Sequence, residues 1–128
     1  MTFEGIRPGL KATRQALVTK TMVTTHAGGQ RGGVLTTPAM IGIMETTAQA
    51  ATQPYLPSDH TTVGFEVAVR HLAPTPLGAR ITVSTELLEV DGRKLFFRAE
   101  AYNEREKIGE GTLRRTIVQL GSLEPRRD

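Results

Sequence analysis

The chain has 128 residues, enough for one domain with its own core and short for two. It contains no cysteine, which excludes disulfide staples, thiolate catalysis and cysteine-held metals. With 16 Lys and Arg against 13 Asp and Glu, the net charge of +3 suits an anionic ligand but forms no basic stripe, and 2 Tyr, 4 Phe and no Trp supply little to stack bases, so no nucleic-acid partner is expected.

No run approaches the roughly 20 apolar residues of a membrane span, and the opening MTFEGIRPGLK lacks the apolar core of a signal peptide. A cytoplasmic protein with no membrane partner is the expectation. Residues 1–9 read as a frayed tail. Residues 10–23, LKATRQALVTKTMV, alternate loosely and are rich enough in Val, Thr and Leu to read as a first strand. Residues 27–33, AGGQRGG, form a loop by composition and the best candidate for a mobile flap.

A helix follows. Thr37 is a good N-cap, Pro38 suits the first helical position and no β-branched run comes after, so the helix should cover 38–53 and stop at Pro54. Met40, Ile41, Ile43, Met44, Ala48, Ala50 and Ala51 surround much of it with apolar or small groups, which points to burial by a sheet. Gly42 costs about 1 kcal/mol relative to Ala in mid-helix, which points to close approach of a neighbouring backbone.

Four strands are expected beyond the helix. Val63, Phe65, Val67 and Val69 alternate with Gly64, Glu66, Ala68 and Arg70; Ile81, Val83, Thr85 and Leu87 repeat the pattern over 79–90. Asp91-Gly92 reads as a two-residue hairpin turn into 93–103, where Leu95, Phe97, Ala99 and Ala101 share a face. A second turn at Glu104 and Arg105 leads into 107–120, and residues 121–128 read as a frayed tail. The fold class is therefore α+β, with one long helix across a curved antiparallel sheet of about five strands in a single domain, 1–128. The exposed edges of such a sheet call for a homodimer or a larger even-numbered assembly.

Three residues stand out chemically. Alternation from Val63 turns His71 toward the helix side, although one histidine at a strand end is more often a packing residue than a catalyst. Glu45 lies two turns into the helix, where it is either on the wet side or a partly buried general base or nucleophile. Thr37 has an ordinary reading as the cap, compatible with a role beside a helix N-terminus that offers N–H groups to an oxyanion. The glycines of AGGQRGG lack the Gly-Lys-Ser/Thr end of a phosphate loop. His26, His60 and His71 lack metal-ligand spacing, so no metal is expected. Arg70, Arg93, Lys94, Arg114 and Arg115 read mostly as solvated strand charges, a few of which could grip phosphates.

The order of motifs TPAMIGIME, PYL, VGFEVAVRHLAPTPLG, TELLEVDGRKL and IGEGTLRR, over about 34–118, resembles the hotdog-fold acyl-CoA thioesterases, particularly the fluoroacetyl-CoA thioesterase-like subfamily. That resemblance implies a sheet wrapped around the helix, a homodimer with sites at the subunit interface, and cofactor-free hydrolysis of a small or medium acyl-CoA. It assigns Thr37, Glu45 and His71 as the catalytic set, with Val69, Ala73, Thr75 and Pro76 as the histidine's setting, and Gly64 and Pro38 at the substrate. The loop AGGQRGG departs from the fluoroacetyl-specific branch, so no fluorinated substrate is carried over. A hydratase motif is missing, and the alternative from another class is a non-catalytic acyl-CoA or small-ligand binding module.

Overall fold

A computed structural model describes residues 3–26 and 32–124. The flap expected at 27–33 therefore lies, apart from Gly32 and Gly33, outside the described residues, as do residues 125–128 of the tail. Strand β1 (Lys11–Leu17) is followed by a 3-10 turn (Lys20–Met22), the short strands β2 (Val23–Thr24) and β3 (Val34–Leu35), helix α1 (Thr37–Thr52) and a second 3-10 turn (Gln53–Tyr55). Strands β4 (His60–His71), β5 (Arg80–Asp91), β6 (Lys94–Tyr102) and β7 (Lys107–Gln119) complete the chain. All pairings are antiparallel, in a five-stranded sheet ordered β1-β5-β6-β7-β4 and a separate β2-β3 pair. This is the expected α+β hotdog architecture, a sheet curled over one long helix.

One expectation near the N-terminus changes. The first strand ends at Leu17 rather than running to residue 23, because Met22 N–H turns back onto Thr19 O at 3.0 Å. Within residues 3–9, Ile6 is buried in the core and Gly9 N–H donates to Leu87 O at 2.8 Å, while Glu4, Arg7, Pro8 and Gly9 are exposed.

The core forms where the sheet's inward residues meet the helix. Ile81, Val83 and Leu87 from β5, Leu95, Phe97, Ala99 and Ala101 from β6, and Leu113 and Ile117 from β7 close over Met40, Met44 and Ala48. The alternations read in β5 and β6 are thus the buried faces. The hairpin between these strands turns one residue later than expected. Asp91 pairs with Lys94, leaving Gly92 and Arg93 as the turn. Gly92 has φ 59 and no non-glycine residue among the described residues is left-handed, the φ signature of a type II′ turn. At the β6–β7 turn Asn103 Oδ1 accepts from the N–H groups of Arg105 and Glu106, both at 2.8 Å.

The helix begins one residue earlier than capping logic suggested. Thr36, in extended conformation at φ −79 and ψ 153, is the N-cap, and its hydroxyl accepts from Ala39 N–H at 3.2 Å. Thr37 is thereby released from the capping role and becomes the first helical residue, with Pro38 behind it. The helix ends where Pro54 enters the 3-10 turn. At Gly42 nothing among the described residues stands within 4 Å of where a Cβ would lie, so the close backbone approach expected there is not made by them. Among the described residues no helix is long and apolar enough to cross a membrane.

The cap assignment separates two neighbouring threonines. Thr36→Ala is expected to lower unfolding stability in urea by about 1 kcal/mol, with a smaller loss for Thr37→Ala. The reverse ranking would return the cap to Thr37.

Candidate active site

Thr37 and His71 meet. The helix start carries Thr37 to the end of β4, where its hydroxyl and His71 Nδ1 share a hydrogen bond of 2.8 Å. Burial pushes His71 below the ordinary histidine value of 6.5, against a smaller opposing pull from the Ala73 backbone, so the ring is neutral near pH 7. Its Nε2 is buried with no hydrogen-bond partner among the described residues. Capping uses the Ala39 N–H, and Pro38 has none. Thr37 N–H is thus the one first-turn donor that capping leaves at this helix end, beside the Thr37 hydroxyl.

Strand β4 reaches this arrangement by a route the alternation did not reveal. Gly64 pairs with Arg115, then the register shifts, and Glu66 pairs with Arg114 and Val67 with Leu113. Residues opposite each other in a ladder share a face, and Leu113 and Arg115 are buried. Gly64 and Val67 therefore point inward, and Phe65 is the extra residue of a bulge. Val63 and Phe65 are not on the face of His71 as expected; only Val67 and Val69 are. Phe65 is 51% exposed and lies under Lys94 Nζ, 6.0 Å from its ring centroid.

Glu45 is engaged elsewhere. Its Oε2 accepts from Arg115 Nη1 in an ion pair whose side chains are 22% and 6% exposed, respectively. Arg115 is held in turn by Thr62, donating through Nε to the hydroxyl at 2.9 Å and through Nη2 to the carbonyl at 2.8 Å. Burial pushes the Arg115 guanidinium below its ordinary value and Glu45 pulls it back; the group stays cationic at neutral pH. Glu45 Oε1 is buried without a hydrogen-bond partner among the described residues. A Cβ at Gly64 would stand 2.5 Å from Oε2 and 3.1 Å from Oε1, so only glycine leaves room for this carboxylate.

The three expected residues thus form two groups rather than one. Thr37 and Glu45 are eight residues apart on α1, which at 1.5 Å per residue is about 12 Å along the axis. No hydrogen bond joins Glu45 to His71 among the described residues. Pro38 is exposed in the first turn, and Gly64 lies against Glu45. A cavity of about 370 Å³ opens on the first group, with Thr37, His71, Leu72 and Pro74 in its wall. A larger one of about 600 Å³, beside Asn103, Glu104 and Arg105, shares Val34 and Pro74 with it but holds neither group.

Arg115 and Thr62 are the residues that sequence reasoning missed. Leu113, Arg115 and Ile117 alternate along β7, and that parity sets Arg115 among inward apolar residues rather than solvated charges.

Comparison with known proteins bears on this geometry. The family described as FlK, fluoroacetyl-CoA-specific thioesterase, matches residues 18–120. A fluoroacetyl-CoA thioesterase of Streptantibioticus cattleyicolor is 38% identical over 87 residues, 68% of this chain and 63% of that protein. The match thus spans less than two thirds of the relative's length. The solved structure of the fluoroacetyl-CoA thioesterase FlK superposes with a TM-score of 0.83 at 32% identity, covering 91% of this chain and 90% of that one. A hot-dog-like protein from Thermanaerovibrio acidaminovorans gives a TM-score of 0.83 at 22% identity, covering 94% and 90% of the two chains, a likeness of fold.

The surroundings of His71 set its titration. Its ring should titrate below 6.5 when followed by proton NMR of the Cε1–H resonance. Since the unfolded chain then takes up the proton first, the site costs stability as pH falls through the window below 6.5 and costs nothing above it. A measured value above 6.5 would mean that burial does not govern the ring.

Proposed function

Because the chain belongs to the fluoroacetyl-CoA-specific thioesterase family, we propose that it hydrolyses a small or medium acyl-CoA thioester to the free acid and CoA at a site shared between two subunits. The observation that carries this reading is the Thr37–His71 hydrogen bond of 2.8 Å at the wall of an open cavity. In this reading the thioester carbonyl oxygen sits against the Thr37 N–H and hydroxyl, where charge develops as the carbonyl carbon becomes tetrahedral. Glu45 Oε1 either takes the proton of the attacking water or adds to that carbon, giving a mixed anhydride that water then cleaves to the acid and free Glu45. The C–S bond breaks, and the CoA sulfur receives its proton by way of the neutral His71. Water is the only co-reactant.

The subunit pairing follows from the separation of the two groups. A two-fold axis passing beside α1 at Ile41, perpendicular to the helix, would set position 45 against position 37 of the second copy, bringing Glu45 to the partner subunit's Thr37 and His71. Two features support such a pairing. Strand β4 is an edge of the sheet and presents Phe65 and Val67, 51% and 43% exposed. Gly42, next to the proposed axis, leaves space in which a second helix can approach.

Thiol release across an acyl-CoA panel tests the activity; saturable binding without turnover would make the chain a binding module instead. Glu45→Gln and His71→Ala should each lower kcat/KM by about 10²- to 10⁴-fold with folding intact. If both retain parental turnover, the assigned chemistry is wrong. The shared site has its own readout. Co-refolding Glu45→Gln with His71→Ala yields mixed dimers with one intact site, so activity should recover to about a quarter of the parent. A mixture as inactive as its components would put each site within one subunit.

A further inference from the structure

Arg115 holds Glu45 by one oxygen only, and the manner of holding is specific. Arginine carries five donors in a rigid planar fork and commonly grips a carboxylate through two parallel hydrogen bonds. Here two of the three nitrogens are occupied by Thr62, at 2.9 Å to its hydroxyl and 2.8 Å to its carbonyl. The third, Nη1, reaches Oε2 of Glu45. Thr62 and Gly64 lie on β4, and Gly64 is the ladder partner of Arg115, so one short stretch both orients the guanidinium and vacates the space beside the carboxylate. The result is an asymmetric carboxylate, with Oε2 bound and Oε1 buried without a partner among the described residues.

We propose that Arg115, oriented by Thr62, is a positioning residue that pins Oε2 of Glu45 and thereby selects Oε1 as the oxygen that reacts. This rests on the thioesterase reading above and adds to it a division of labour between two oxygens of one side chain. A plain counter-ion would need only its charge, whereas a positioning residue needs the guanidinium plane. Lysine separates the two, because it keeps the charge as a compact ammonium and cannot bond Thr62 twice while reaching Glu45 in the same plane.

The test is steady-state thioester hydrolysis by Arg115→Lys, Thr62→Val, Glu45→Gln and the double variant Arg115→Lys with Glu45→Gln, each beside the parent. Arg115→Lys should lower kcat by roughly 10²-fold, the scale of a misplaced reacting group, with KM within about twofold. Thr62→Val, which removes the acceptor for Nε at nearly constant volume, should lower kcat by roughly tenfold and leave KM equally unmoved, and it carries the test if Arg115→Lys does not fold. On top of Glu45→Gln, the Arg115→Lys change should cost little further kcat, since no reactive oxygen is left to aim. Parental kcat in Arg115→Lys, or the same fold-loss with and without Glu45, overturns the inference and leaves the thioesterase reading standing. An inactive parent across the acyl-CoA panel overturns both.

Discussion

The site depends on how helix α1 is held in the concave face of the sheet. Met40, Met44, Thr47 and Ala48 are buried on one side of it, under residues of β5, β6 and β7. Burying one Met side chain is worth about 1.5–3 kcal/mol. Rotation of the helix by one residue step would expose such groups, so the azimuth is set by packing before any polar contact forms. Thr37 and Glu45, eight residues and about 80° apart around the helix, inherit their directions from this packing. The cap on Thr36 fixes where the helix starts and so leaves Thr37 free to meet His71.

The second requirement falls on β4, which meets both groups. Gly64 faces Glu45 and His71 meets Thr37, yet residues of odd separation in a regular strand point to opposite faces. One strand can satisfy both only if its parity changes between them, and the bulge at Phe65 makes that change. It also turns Phe65 away from the core and onto the exposed edge. A feature that interrupts the ladder is therefore what turns Gly64 and His71 to one side of the sheet.

The two halves differ in electrostatic character. Thr37 and His71 form a neutral pair whose ring is kept uncharged by burial, suited to passing a proton in either direction. Glu45 and Arg115 form a partly buried ion pair, an arrangement that costs desolvation energy unless further hydrogen bonds compensate. Thr62 supplies two of those bonds. A carboxylate so restrained keeps its orientation, which an exposed glutamate on a helix surface would lose to rotamer freedom. Under the proposed two-fold pairing, each subunit contributes one neutral and one charged half, and neither reacts alone.

Much of this was legible in the residues, because secondary structure follows local periodicity. The alternations at Ile81–Leu87 and Leu95–Ala101, the apolar helix after Thr36 and Thr37, and the closing Pro54 depend on neighbours a few positions away, and they determine one helix wrapped by an antiparallel sheet. Thr37, Glu45 and His71 were likewise visible as reactive types at a family's spacing. What tertiary structure decided were matters of register. The bulge at Phe65 carries no local signal, since its side chain fits an alternating strand as well as Val63 does, and only pairing with Arg114 and Arg115 shows the slip. The choice of Thr36 over Thr37 as the cap shows only in which hydroxyl accepts from Ala39 N–H and which meets His71. Arg115 read as a surface charge because the carboxylate that lets it stay buried is 70 positions away along the chain. Periodicity belongs to the sequence, whereas the partner of a buried polar group is chosen by contacts between segments that meet only once the chain has folded.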